Sequence, residues 1–325
     1  MREDWDRRAQ QDAEKFIYTR DSASDASDFA HSGEANYNQL VRPYLPILLR
    51  GRPARECRVV EIGCGIGRMT EWLAANFNIV DAIDVSPVMI EAARERLPHR
   101  PNIRFHVGHG SDLAPIPGAS ADLVFSYIVF QHIPSREAVE GYVTDAARVL
   151  KEGGAFKFQL NGDQSPAYLA HQRDTWLGEV FSEADVARML DNAGLTAISS
   201  EGAGTQYYVV TAVKGQPPER SYVLPGEPWA EPLLLEGFGP AVDASWRPMA
   251  GQAKVRVAGS GLRLYLGLYF WPESCYHKLS FAGHTFTVET PGDHYFECPG
   301  AAGEIEIHLD PAPTKHPAFR IVGLY

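Results

Sequence analysis

At 325 residues the chain has room for two domains of roughly 150 residues each, and a hydrophobic fraction of 45% supports packed cores. A net charge of −11 disfavours a polyanionic partner, so nucleic acid is not expected. No stretch approaches the ~20 apolar residues of a membrane span, and the opening MREDWDRRAQQDAEKF is too polar for a signal peptide.

In chain order, Asp4 to Phe16 reads as one helix, and the run DSASDASDFAHSGEA (residues 21 to 35) as a loop of small and acidic residues. Asn38 to Leu49 carries apolar residues at helical spacing and is expected to pack on a sheet edge. Residues 1 to 50 are thus expected to form a helical cap. From Arg58 an alternation of strands and helices sets in. Strands are expected at Arg58 to Ile62, Ile79 to Asp84, Ile103 to Val107, Asp122 to Phe130 and Ala155 to Leu160. Helices are expected at Arg68 to Phe77, Pro87 to Leu97 behind a Ser86 cap, Arg136 to Leu150, and Glu183 to Ala193 between Ser182 and Gly194. Two further strands, Leu195 to Ser200 and Gln206 to Val213, close the unit.

Lys214 to Pro232, with GQPPER, LPGEP and AEP, reads as a proline-rich linker over about residues 215 to 232. Beyond it the period becomes two, in KVRVAG, LRLYLGLYF, HTFTVE, GEIEIHLD and FRIVGLY, which predicts a β-sandwich over residues 233 to 325. In LRLYLGLYFWP, Leu262, Leu264, Leu266 and Leu268 share one face, expected to be core, and Tyr265 and Tyr269 the other. That outer face and Trp271 are expected either to stack on sugar rings or to pack on the first domain. Cys57, Cys64, Cys275 and Cys298 lack metal-ligand spacing and are expected as reduced thiols in a cytoplasmic protein.

The stretch VVEIGCGIGRMT, Val59 to Thr70, runs from a β-branched strand through Gly63, Gly65 and Gly67 into a helix. A dinucleotide fingerprint would place a third glycine at position 68, where Arg68 stands. Glu61, two residues before the first glycine, repels a pyrophosphate but suits a ligand bearing an ammonium and a sulfonium. Both features disfavour an NAD oxidoreductase. Asp84 ends the second strand about 20 residues on, where a carboxylate accepts from ribose hydroxyls in nucleotide-binding α/β folds.

The run Glu61 to Gly67 resembles the first motif of class I S-adenosylmethionine-dependent methyltransferases, and DAIDVSPVMIEAA their second. The resemblance covers residues 1 to about 214 and implies a Rossmann-like, seven-stranded doubly wound sheet under an N-terminal helical lid, with S-adenosylmethionine as cofactor. By it, Glu61, Gly63, Cys64 and Gly65 hold the amino-acid end of the donor, Asp84 the ribose, and Val85 and Met89 flank the adenine. Gly110, Ser111, Asp112 and Leu113, in GSDLAPIPGASADLVFS, meet the adenine edge, while Ser126 and Tyr127 line the floor. His132 is the candidate proton acceptor. Phe16, Tyr18 and Phe29 are lid candidates, and Tyr18 joins His132 as a candidate catalytic residue. Methyl transfer needs alignment more than a triad or metal, and the sequence shows neither. The expected activity is methyl transfer to an oxygen or nitrogen, or a carbon, of a small-molecule or glycan-type acceptor. The alternative is a catalytically silent protein of this fold whose β-sandwich binds glycan or protein.

Overall fold

The computed structural model describes residues 1–18, 26–217, 222–224, 228–242, 246–259, 263–273 and 276–324. Leu262, Cys275, residues 21 to 25 of the expected loop, and the Trp229 side chain lie outside them. Contacts divide the chain into two units: Met1–Val41 with Arg52–Pro217, and Arg42–Gly51 with Pro218–Tyr325.

The first unit opens with α1 (Arg2–Ile17) and α2 (Ala26–Leu40). The second unit's inserted segment then holds α3 (Leu45–Leu48). The alternating pattern follows as β1 (Arg58–Ile62), α4 (Thr70–Asn76), β2 (Ile79–Asp84), α5 (Pro87–Arg96), β3 (Ile103–Val107), β4 (Ala121–Ser126) and α6 (Arg136–Val149). It closes with β5 (Leu150–Leu160), α7 (Pro166–Leu169), α8 (Glu183–Ala193), β6 (Leu195–Glu201) and β7 (Tyr208–Lys214). The sheet order is β3-β2-β1-β4-β5-β7-β6, parallel except that β7 runs antiparallel to β5 and β6. This is the Rossmann-like doubly wound sheet expected, and its central strand β4 is buried at every position, as a strand covered on both faces must be. The Ser86 and Ser182 hydroxyls cap α5 and α8 by accepting the Met89 and Asp185 amides, and Gly194 ends α8 in the left-handed conformation.

Asp4 to Phe16 is not one continuous helix, because α1 breaks at Asp12, whose backbone is extended (φ −170°, ψ 89°). Three further expectations are corrected. Residues 26 to 40 are helix rather than loop, because Phe29, Gly33, Tyr37 and Val41, spaced by four, form one buried stripe. No single helix spans Asn38 to Leu49: α2 ends at Leu40, and a short 3₁₀ turn and α3 follow with the second unit. β4 stops at Ser126 rather than Phe130, because Ile128 has a φ of 55° and gives its amide to Gln159 Oε1 at 2.9 Å.

The second unit contains β8 (Tyr222–Val223), β9 (Leu234–Phe238), β10 (Arg247–Val257), β11 (Arg263–Phe270) and β12 (His277–Phe281). It ends with β13 (His284–Val288), β14 (Gly292–Pro299), β15 (Gly303–Asp310) and β16 (Ala318–Leu324). The antiparallel order is β13-β12-β15-β10-β16-β11-β14, with β8 on β16 and β9 on β10. The long β10 serves both halves of the sheet, pairing β15 along its end and β16 at its start. The two halves share one core, in which Leu279, Phe281 and Ile307 meet Leu266, Leu268 and Phe319. Leu264, Leu266 and Leu268 are core, as the alternation requires. Tyr265, expected on the outer face, is also buried, its ring lying across Gly323.

Candidate functional site

The parallel strands end on one edge, and the glycine loop leaving β1 is pinned there to β2: the Gly63 and Cys64 amides both donate to the Ile83 carbonyl, at 2.7 and 3.0 Å. Gly63 has a φ of 73°, and a Cβ on it would lie 2.3 Å from the Val129 side chain, so only glycine fits. The Asp84 carboxylate spans the loop and the next helix, accepting from Gly65 N through Oδ2 and from Ser86 N through Oδ1, both at 2.9 Å. Burial raises its pKa, opposed by those amides. One lone pair on each oxygen stays available to a diol.

Glu61 is buried beneath the loop and accepts from Thr70 Oγ1 at 2.6 Å. Burial pushes its pKa from 4.5 to about 7, against the Thr70 hydrogen bond and the Arg68 charge. Arg68 is itself buried. Its Nη1 donates to Asn36 Oδ1 at 2.6 Å and to the Ser32 carbonyl at 3.2 Å, while among the described residues its Nε has no partner.

Helix α1 roofs this edge without burying a residue of its own. Arg2 donates to the carbonyls of Val85 and Gly108, at 3.0 and 2.8 Å, and Ser86 Oγ donates to Asp6 Oδ1 at 2.5 Å. Farther along, Arg8 lies over the rings of Trp5 and Trp176, at 4.7 and 5.4 Å, and donates to the Thr175 carbonyl at 3.1 Å. Trp5 meets the His132 ring edge-on at 5.7 Å.

His132 is fixed at both nitrogens. The Trp176 carbonyl accepts from Nδ1 at 2.8 Å, which makes Nδ1 the protonated nitrogen, and Gln131 Nε2 lies 3.2 Å from Nε2. Gln131 is held in turn by Gln159, whose Nε2 donates to Gln131 Oε1 at 2.9 Å. Burial lowers the His132 pKa, so the ring is neutral near pH 7.

These elements line a pocket that opens to solvent and holds about 900 Å³ of space with that open solvent included. Glu61, Gly63, Cys64, Gly65, Asp84, Val85, Met89, Tyr127 and His132 line it. Gly110, Ser111, Asp112 and Leu113 are not in its wall, but lie beyond β3: Asp112 Oδ1 accepts the Ala114 amide in an Asx turn, and the Leu113 amide donates to Asp145 Oδ2 at 2.7 Å. Gly110 approaches the roof, since a Cβ on it would meet Met1 at 2.6 Å. Ser126 is buried behind the wall with its hydroxyl 3.4 Å from the Ile62 carbonyl, and Tyr18 lies outside the wall with its ring 5.9 Å from the Arg68 guanidinium. Phe16 lines the pocket, whereas Phe29 packs beneath with Ile66 and Met89. Sequence reasoning missed Gln159, whose signal was an amide inside an otherwise apolar strand, and the wall role of Arg68, noticed only as a departure from a glycine fingerprint.

The residues present fit S-adenosylmethionine: in one pocket wall Asp84 offers carboxylate oxygens suited to a diol, Glu61 a carboxyl group suited to a cation, and Val85 and Met89 apolar surface suited to a flat base. Residues 60–158 match a family model described as a methyltransferase domain. The chain is 35% identical over 96 residues to a demethylmenaquinone methyltransferase of Tropheryma whipplei, covering 30% of this chain and 38% of that one. It is 33% identical over 125 residues to a trans-aconitate 2-methyltransferase of Methylobacterium nodulans, covering 38% and 45%. This chain thus spans less than half the length of either curated relative. A crystal structure of magnesium protoporphyrin IX methyltransferase from Synechocystis shares 18% identity at a TM-score of 0.48, over 66% of this chain and 98% of that one. Residues 60–158 thus form a domain of the class I S-adenosylmethionine-dependent methyltransferase kind.

Proposed function

We propose that this chain transfers the methyl group of S-adenosylmethionine to a nucleophilic oxygen or nitrogen, or to a carbon, of a small-molecule acceptor. The observation that carries the reading is the single pocket wall on which Glu61, the Gly63–Gly65 loop and Asp84 stand together. Bound there, the donor supplies an activated methyl on sulfur. Asp84 holds the ribose diol, Glu61 and the loop (with Cys64) the amino-acid end, Val85 and Met89 the base, and Tyr127 the floor. Ser126 supports the floor from behind.

The chain's own contribution is alignment and exclusion of water, since the donor needs no further activation. The α1 roof serves the second task, and Tyr18 guards its end beside Arg68. His132, neutral and fixed by Trp176, takes the acceptor's proton at Nε2 once the acceptor displaces Gln131 from it. Phe16, Ile17, Ile128, Val129 and Ile133 also line the pocket. Such a surface favours a compact, mostly apolar acceptor over a glycan, whose hydroxyls would find few partners. The trans-aconitate relative is named for a small organic acid, an acceptor of the same size class.

The alternative, a silent fold with a sugar-binding β unit, gains no support from the rings on that unit. Trp271 meets Trp246 and Tyr269 edge-on, at 71° and 74°, and Lys315 Nζ sits 4.3 Å over its face, so among the described residues no flat stacking platform forms at Trp271. Calorimetry with S-adenosylmethionine and S-adenosylhomocysteine tests the proposal. Failure of both to bind at submillimolar concentration, with binding of NAD instead, refutes it. Release of S-adenosylhomocysteine above background with any member of an acceptor panel rejects the silent alternative.

A further inference from the structure

We propose that Arg68 is the carboxylate-recognition residue of this pocket, a specificity element that rests on the methyltransferase reading above. The side chain is 5% exposed, lines the pocket, and stands among the apolar Met69, Ile17 and Val129. A cation removed from water at such a place costs free energy unless a counter-charge meets it. Among the described residues Arg68 forms no ion pair. Its hydrogen bonds run from Nη1 to neutral oxygens, those of Ser32 and Asn36, and the buried Nε donates to nothing. The aromatic neighbours offer no charge either: Tyr18 and Tyr127 are phenols, and burial raises the Tyr127 pKa further from ionisation. The nearby acid, Glu61, is turned to the Thr70 hydroxyl.

The side chain is therefore anchored at one end of its guanidinium and unsatisfied at another. Nε and a terminal nitrogen of an arginine form the fork that a carboxylate accepts in bidentate fashion. The anchoring to α2 holds the fork in place before any ligand arrives, so little side-chain freedom is lost on binding. Two molecules in the pocket can bring a carboxylate to it: the donor, through its amino-acid end beside Glu61, and the acceptor, through an acid group on an otherwise apolar body.

The experiment compares each acid with a partner lacking only the charge, in wild type, Arg68→Gln and Arg68→Lys. In the donor arm, calorimetry measures S-adenosylhomocysteine against its decarboxylated analogue. In the acceptor arm, benzoate and cinnamate are measured against benzamide and cinnamamide, with and without S-adenosylhomocysteine. We expect wild type to prefer the acid by about tenfold or more in at least one arm. Arg68→Gln should abolish that preference and Arg68→Lys restore part of it, and the arm that responds names the source. Equal weakening of acid and neutral partner in Arg68→Gln would mark a merely structural residue and overturn the proposal. So would a wild type with no acid preference in either arm. Failure of wild type to bind either adenosine ligand refutes the methyltransferase reading instead, and the acceptor arm without S-adenosylhomocysteine then decides Arg68 by itself.

Discussion

The Asp84 carboxylate accepts the Gly65 amide at 2.9 Å, and through this bond the end of β2 holds the crest of the glycine loop. Its other oxygen takes the Ser86 amide at the start of α5. One side chain thus sets the loop and the helix in register at the place where the ribose is proposed to lie. Asp84→Ala removes both bonds together with the ribose acceptor. With about 1.5–3 kcal/mol for each hydrogen bond to a charged group, S-adenosylhomocysteine affinity should fall tenfold or more, and the melting temperature should fall as well. A folded variant with an unchanged dissociation constant would leave Asp84 a purely structural residue.

Glu61 couples the pocket to pH. Its folded pKa is raised, from 4.5 to about 7, so the folded chain holds this proton more tightly than the unfolded one. The stability it contributes is therefore fully present below pH 4.5 and is lost as pH rises through about 7. A cationic donor reverses the preference, because it favours the carboxylate. Binding S-adenosylmethionine at pH 7 should release about half a proton, and affinity should decline as pH falls below 7. Calorimetry in buffers of different ionisation enthalpy reads the release, and Glu61→Gln should abolish it. The assignment does not survive if wild type releases no proton.

His132→Ala should lower turnover by about 10²–10⁴ and leave S-adenosylhomocysteine affinity within about twofold, as expected of a general base outside the donor subsite. Because burial lowers the His132 pKa from 6.5, wild-type turnover should hold through neutral pH and drop only as pH falls below that ordinary value. A loss smaller than about threefold would make His132 a brace between Trp5 and Trp176, since general-base catalysis is worth far more.

The parts of the fold legible in the sequence are those whose cause is local. Buried parallel strands must be apolar runs, so β1, β2 and β4 stood out, and Ser86, Ser182 and Gly194 marked helix ends through their own backbone chemistry. What stayed hidden depends on distant contacts. In α2 the stripe of Phe29, Gly33, Tyr37 and Val41 is diluted by serines and acids that favour loops. The true end of β4 lies inside an apolar run and is set by Gln159, from another strand. The strand β12 escaped because its alternation spans only five residues, with the polar His277 at a buried position, and β14 because its first half, from Gly292 to Tyr295, does not alternate. At the site, the glycine loop and Asp84 were readable as motifs. The unsatisfied Nε of Arg68 was not, since it follows from where Ser32 and Asn36 sit.

Gly33 is the point at which α2 touches the glycine loop. A Cβ there would lie 2.3 Å from the Arg68 carbonyl oxygen, a backbone atom that cannot swing aside. Gly33→Ala should therefore destabilise by about 1–3 kcal/mol, the usual cost of overpacking, despite alanine's better helix propensity. The melting temperature should drop by roughly 2–10 °C for a domain of this size. An unchanged or higher melting temperature would show that α2 is not held against the loop at this position.

Truncation after Pro217 tests whether the first unit stands alone. Arg42–Gly51 lies within the sequence of the first unit but groups by contact with the second, where the Arg42 guanidinium sits 5.2 Å over the Tyr295 ring. This segment carries Ile47, Leu48 and Leu49, exposed by only 8%, 1% and 0%. A chain ending at Pro217 keeps the segment and loses every partner that the second unit supplies to it. Whatever share of this burial the second unit supplies is lost, at up to about 1.5–3 kcal/mol for each fully buried aliphatic side chain. The truncated chain should aggregate, or melt well below the full chain, and replacing Ile47, Leu48 and Leu49 together by serine should recover solubility without recovering the lost stability. Size-exclusion chromatography and thermal melts of both versions decide the matter. A 1–217 chain that is monomeric, melts with the full chain and binds S-adenosylhomocysteine normally would show that the second unit contributes nothing to the stability of the first, and would leave acceptor recognition as the role to test for it.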